Sequence, residues 1–90
     1  MPKKIILITG GCSGIGYEIS KFFLKKGNTI ISLDIKDHSD LIKISKRKYF
    51  FYKFDLEKYK NINKVFSDIT SKFTNIDVLI NNARSSSKKD

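Results

Sequence analysis

Four glycines within seven residues, in Gly10-Gly11-Cys12-Ser13-Gly14-Ile15-Gly16, separate two apolar stretches of different period. The stretch before them, Lys4 to Thr9, is an apolar run of the kind a strand buried on both faces requires. After them, Ile15, Ile19, Phe22 and Phe23 fall at i, i+4, i+7 and i+8, the apolar stripe of a helix. A chain that satisfies both patterns must turn sharply from strand into helix at the glycines. Gly10 permits the tight exit, and Gly16 lets the helix lie close to the sheet. Lys25 and Lys26 suit the negative end of that helix, and Gly27 can adopt the left-handed conformation that stops it.

The alternation continues. Thr29 to Leu33 reads as a second strand ending at Asp34, and Asp40 to Ser45 as a short helix before Lys46-Arg47-Lys48. Tyr49 to Phe54 is an aromatic-rich strand ending at Asp55. Ile62, Val65, Phe66, Ile69 and Phe73 repeat with helical period, and Ile76 to Ile80 is a last strand before Asn81-Asn82-Ala83-Arg84. Strands separated by crossover lengths rather than hairpin turns predict an α/β fold: a parallel sheet with helices on both faces. Residues 1–84 read as one partial domain and residues 85–90 as a polar tail or a truncation point.

Composition narrows the class. At 90 residues the chain is one domain at most, and a domain of this size buries only roughly 60–65% of its unfolded-chain surface. The apolar share of 40% beside 30% charged residues is that of a globular chain. The first apolar run is too short for a membrane span of about 20 residues. A single cysteine, Cys12, and a single histidine, His38, exclude an internal disulfide and a multi-histidine metal centre. The expectation is a cytoplasmic protein without a structural metal. The net charge of +9 comes almost wholly from lysines spread along the chain, with Arg47 and Arg84 the two arginines and Ala83 the one alanine. This joint bias matches A- and T-rich codons, so solvated faces explain the charge better than a nucleic-acid surface.

The glycine turn also has a chemical use. Gly14 carries no side chain to keep a pyrophosphate from the backbone, and the first-turn N–H groups of the helix face such an anion along the positive end of its dipole. Gly16-Tyr17-Glu18 excludes a Walker-type loop, which needs Gly-Lys-Ser/Thr there. Asp34 closes the second strand about 20 residues on, where a carboxylate can accept both hydroxyls of an adenosine ribose.

With these residues in place the chain resembles the N-terminal part of a short-chain dehydrogenase/reductase. The match runs from residue 3 to 84: Thr9 to Gly16 for the family's TGxxxGxG, Asp34, Asp55-Leu56 after the third strand, and Asn81-Asn82-Ala83 for its NNAG. The resemblance implies a Rossmann-like sheet in the order 3-2-1-4, the first half of a doubly wound domain. It implies that Gly10, Ser13, Gly14, Ile15 and Gly16 line the pyrophosphate and ribose of the cofactor, and that Asp34 takes the ribose hydroxyls. Asp55 and Leu56 would meet the adenine edge, and Asn82 and Ala83 would lie along the cofactor and brace the fourth strand. NAD is expected in preference to NADP, because Asp34 would face the 2′-phosphate, although Lys36 stands two residues on. Arg84 departs from the family's usual glycine.

The family's catalytic serine and Tyr-x-x-x-Lys pair lie beyond the fourth strand. Two spans share that spelling, Tyr17 to Lys21 and Tyr49 to Lys53, but the first belongs to the helix at the pyrophosphate end. The second lies on a strand, where i and i+4 are about 13 Å apart. No catalytic residue is therefore assigned. The expected role is the NAD(P)-binding portion of an oxidoreductase that moves hydride between nicotinamide and a carbonyl or alcohol carbon. A non-catalytic nucleotide-binding or assembly module is the alternative, and a basic nucleic-acid-binding module a third reading. Cys12 reads as a small turn filler, with a redox-sensitive thiol as the second possibility, since a helix N-terminus can lower a thiol pKa. His38 reads as solvated, and Tyr49-Phe50-Phe51-Tyr52 as core rather than a base-stacking platform. The fourth strand is expected to form an apolar edge open to self-association.

Overall fold

The computed structural model describes residues 3–55 and 62–83. Four parallel strands, β1 (Ile5–Thr9), β2 (Thr29–Asp34), β3 (Tyr49–Lys53) and β4 (Val78–Asn81), form one sheet in the order β3-β2-β1-β4. Helix α1 (Gly14–Lys25) follows β1, α2 (Ser39–Ile44) follows β2, and α3 (Ile62–Lys72) precedes β4. The expected strand order is the observed one. Leu7 of β1 stands beside Ile31 of β2 and Leu79 of β4, which makes the interior of the sheet aliphatic.

The two-residue period of the strands divides the core into two layers. Ile6, Ile8, Ile30 and Tyr49 turn to the face covered by α1 and α2, where Leu24 and Leu41 complete the packing. Leu7, Ile31 and Leu33 turn to the other face and meet Ile69 and Phe73 from α3 and its end. Phe50 and Phe73 pack edge to face with centroids 4.9 Å apart, and the Lys72 ammonium lies 4.5 Å over the Phe50 ring. The aromatic strand is thus core material, as its pattern suggests.

The α1 stripe needs correction. Ile15 and Phe22 are 73% and 53% exposed, and the buried face is Gly16, Ser20 and Leu24, with Ile19 and Phe23 half-buried. The helix lies so near the turn that only small side chains fit its first two inward positions. Ser20 Oγ donates to the Gly11 carbonyl at 2.9 Å, which satisfies that buried hydroxyl. A large-apolar pattern finds the helix but misplaces its face.

Helix α1 ends as expected. Gly27 is left-handed, its N–H reaches the Leu24 carbonyl, and the Asn28 N–H reaches that of Phe23. Strand β4 bonds, among the described residues, to β1 alone, and Leu79 is 63% exposed. No helix among the described residues is long and apolar enough to cross a membrane. The boundary expected after residue 84, together with Leu56 and Arg84, lies outside the described residues.

Candidate cofactor site

In a parallel sheet every strand-to-helix connection leaves the same edge. This brings the glycine turn, the end of β2, the end of β3 and the Asn82-Ala83 segment together at the C-terminal ends of the strands. The turn is tied to β2 at two points. The Gly10 N–H donates to the Leu33 carbonyl at 2.7 Å, and the Cys12 N–H donates to Asp34 Oδ2 at 3.0 Å. Asp34 Oδ1 accepts from the Ile35 N–H at 2.7 Å. The carboxylate is therefore held in place by backbone amides on both oxygens, each of which keeps capacity for a further donor. It borders a cleft of about 400 Å³ with Cys12, Ser13, Ile35, Lys36 and Asp37 among its walls.

The glycines of the turn are not equivalent. Gly14 has φ +53°, and a Cβ built there would meet nothing within 4 Å. Its backbone faces open space, the surface a pyrophosphate would need. Ser13 caps α1 in an extended conformation but its side chain makes no cap bond, and the first turn carries no acidic residue. The first-turn N–H groups therefore receive no side-chain cap from Ser13. A Cβ on Gly16 would instead collide with the Gly10 carbonyl and come within 2.6 Å of Asn82 Nδ2. Gly16 allows contact with the turn and the β4 end, more than with the sheet face the sequence suggested.

The β4 side is organised by a hydroxyl. Thr9 Oγ1 accepts from the N–H groups of Asn82 and Ala83 at 3.0 and 3.1 Å and donates to Asn81 Oδ1 at 3.1 Å. Asn82 Nδ2 donates to the Gly10 carbonyl at 3.1 Å. Asn82 is thereby tied to both Thr9 and the glycine turn, and Ala83 to Thr9. The sequence marks Thr9 only as the first letter of the glycine motif. Its threonine at a strand end was the available signal.

Asp55 lines a second hollow of about 540 Å³ with Phe54, Lys64 and Asp68, and Ile35 borders both hollows. Asp34 and Asp55 therefore stand along one continuous edge. Of the ten residues expected to line a cofactor, the structure brings Gly10, Ser13, Gly14, Ile15, Gly16, Asp34, Asp55, Asn82 and Ala83 to this edge, and Leu56 lies outside the described residues. The donors, the open glycine and the fixed carboxylate fit a dinucleotide.

Cys12 proves to be more than a filler. It is buried, with Sγ 3.1 Å from the Tyr49 hydroxyl, which itself donates to Asp37 Oδ1. The Cys12 thiol also lies 3.7 Å from Asp37 Oδ1, so thiol, phenol and carboxylate form one cluster. Burial pushes the Cys12 thiol above its ordinary value, against the bonds that would lower it. The lowered pKa of a redox-sensitive thiol is not what this environment produces, because desolvation outweighs the helix terminus. Burial and the Asp37 bond also push the Tyr49 phenol far up. His38 caps α2, its Nδ1 accepting from the Asp40 N–H at 3.2 Å, and its ring stacks on Tyr17 at 3.9 Å. Lys21 sits 5.1 Å from the Tyr17 ring centroid, a packing contact. Among the described residues no three His, Cys, Asp or Glu side chains form a metal-binding group.

These features define an α/β protein with a Rossmann-like parallel sheet. The family model described as short chain dehydrogenase matches residues 4–90. A short chain dehydrogenase/reductase of Gibberella zeae is 35% identical over 86 residues, which span 89% of this chain and 31% of that protein. The NAD-dependent glycerol dehydrogenase of Listeria innocua is 35% identical over 82 residues, spanning 89% and 32%. Among solved structures, a short-chain dehydrogenase from Streptomyces avermitilis superposes with TM-score 0.82 at 28% identity, covering 90% of this chain and 30% of that one. One from Leptospira borgpetersenii with bound NAD+ gives 0.78 at 29%, covering 92% and 32%. The chain belongs to the short-chain dehydrogenase/reductase family. It spans about a third of the length of the relatives it matches.

Proposed function

We propose that this chain is the NAD-binding portion of a short-chain oxidoreductase, one that passes hydride between nicotinamide and a carbonyl or alcohol carbon. The observation that carries this reading is the Asp34 carboxylate, fixed by the Cys12 N–H at the edge of a cleft that adjoins the glycine turn. In this reading the bound cofactor supplies the hydride chemistry. The first-turn amides of α1 and the open backbone of Gly14 hold the pyrophosphate, with Ser13 and Ile15 beside it. Asp34 orients the adenosine ribose, Asp55 and Leu56 border the adenine, and Asn82 and Ala83 flank the chain of the dinucleotide.

The finer assignment is NAD over NADP. A fixed carboxylate repels a 2′-phosphate and accepts two hydroxyls, and Lys36 is the one lysine or arginine lining the cleft among the described residues. The relative named as NAD-dependent and the neighbour solved with NAD+ support this direction. No proton-transfer role is assigned in this stretch, because Tyr49 is committed to Asp37 in the core and Tyr17 is stacked on His38. The reading carries a cytoplasmic location with it. Calorimetric titration of the chain with NAD and NADP tests it: NAD should bind more tightly, and Asp34→Ala should narrow the gap. Equal affinities in the unaltered chain would overturn the preference, and no binding of either would overturn the function.

A further inference from the structure

The charge of the cofactor cleft rests on few side chains. Among the described residues that line it, Asp34 and Asp37 are acidic and Lys36 is basic. His38 lines it too, and adds no charge while its Nδ1 accepts from the Asp40 N–H. Asp34 and Lys36 offset each other. The sign of the cleft is therefore decided by Asp37.

Asp37 is held in place from the core. Tyr49 is 3% exposed and shares the layer under α2 with Leu41. A phenylalanine would fill that layer with no polar atom to bury, and a buried hydroxyl costs free energy unless it is bonded. The Tyr49 hydroxyl finds its bond by donating to Asp37 Oδ1, which also accepts from the His38 N–H at 2.7 Å. Cys12 links the two carboxylates: its N–H donates to Asp34, and its thiol lies 3.7 Å from Asp37 Oδ1. The second carboxylate thus stands within one residue's reach of the first. We propose that Asp37, anchored by the Tyr49 hydroxyl, is a second determinant of NAD over NADP, so that a pair of carboxylates excludes the 2′-phosphate. The inference rests on the reading of this cleft as the adenosine-ribose site. With Asp34 alone, Lys36 would be free to pair with the phosphate. With Asp37 beside it, the phosphate enters a cleft of net negative charge. Tyr49 acts through Asp37 and is a positioning residue. If the Tyr49–Asp37 bond served only to tie the β2–α2 connection to the core, breaking it would change stability and leave the choice of nucleotide alone.

The test is calorimetric titration with NAD and NADP at low salt, repeated at about 0.5 M, where charge effects are screened and steric exclusion is not. Asp37→Asn keeps an oxygen for the Tyr49 hydroxyl and removes the charge. It should raise NADP affinity and shrink the NAD-to-NADP affinity ratio about five- to tenfold, the scale of one charge acting on a phosphate in a partly solvated cleft. Asp37→Glu, which keeps the charge, should hold most of the ratio. Tyr49→Phe frees the carboxylate without removing it and should shrink the ratio by less than Asp37→Asn. Glu18→Gln removes the same charge from the exposed side of α1 and should leave the ratio in place. High salt should lower the ratio of the unaltered chain more than that of Asp37→Asn. Circular dichroism checks that each variant folds, and Asp37→Ser gives a second reading of the lost charge with a smaller side chain. A ratio that Asp37→Asn and Asp37→Ser leave unchanged, or that Glu18→Gln shrinks as much, overturns this inference alone. Failure of the unaltered chain to bind either nucleotide overturns the cofactor reading and this inference with it.

Discussion

The backbone N–H of Cys12 donates to Asp34 Oδ2 at 3.0 Å and thereby joins the glycine turn to the end of the neighbouring strand. The residue that would read the ribose is also the residue that holds the turn in shape. Binding and stability are coupled at this point. Asp34→Ala should weaken NAD binding and also lower unfolding free energy by about 1–3 kcal/mol, the range for losing hydrogen bonds to a charged acceptor. Asp34→Asn, which keeps an amide oxygen for one backbone donor, should recover part of the stability. Urea denaturation beside NAD titration separates the two effects, and a stability unchanged in Asp34→Ala would show that the turn does not depend on the carboxylate.

Gly14 and Gly16 should respond in opposite ways to the same methyl group. Gly16→Ala forces its Cβ onto the Gly10 carbonyl, so it should destabilise by about 2 kcal/mol or more. Gly14→Ala meets open space and costs only the left-handed backbone, about 1–2 kcal/mol. Its larger effect should be on affinity, since the added methyl occupies the surface offered to the pyrophosphate. Thermal melts and nucleotide titrations of the two variants should show this crossing. If both lose the same stability and the same affinity, the two glycines do not have separate tasks.

The Thr9 hydroxyl makes three bonds, one to Asn81 at the end of β4 and two to Asn82 and Ala83 just after it. Thr9→Val keeps the shape of the side chain and removes all three, and should cost about 1–3 kcal/mol. Thr9→Ser should restore most of it. Hydrogen exchange at the Asn82 and Ala83 amides is the direct measure, with faster exchange expected in Thr9→Val only.

Cys12 and Tyr49 give the stability a basic limit. Both hold their protons more tightly in the folded chain than in the unfolded one. The stabilisation is complete below the ordinary thiol value of about 8.5, and is lost as pH rises past that value and then past about 10 for the phenol. The urea midpoint should fall across this window, and Tyr49 should ionise with unfolding rather than before it. Absorbance at alkaline pH, followed together with circular dichroism, checks the order. Tyr49→Phe should shrink the upper part of the fall, and a fall of unchanged size would assign it to other groups.

Leu79, exposed on the edge strand, should tolerate a charge. Leu79→Lys should leave the melting behaviour within about 0.5 kcal/mol of the original and reduce aggregation of concentrated samples, because charged residues block edge-to-edge pairing. Light scattering at matched concentrations is the readout. Increased aggregation would show that this face is not the exposed one.

The glycine turn, Asp34 and the alternation of periods are local signals, and from them the sequence determined the strand-helix order, the parallel sheet and the edge where an anion would bind. Local signals suffice there because strand pleat, helix stripe and turn geometry act over a few residues. What only the tertiary structure decided depends on partners distant in sequence. Ile15 and Phe22 match the helical stripe, yet point outward, because β1 and the turn admit only Gly16 and Ser20 at close range. Cys12 is buried against Tyr49, 37 residues away, and Thr9 becomes an anchor through Asn82, 73 residues away. Periodicity records what a residue prefers as a neighbour, and packing settles which neighbour it gets.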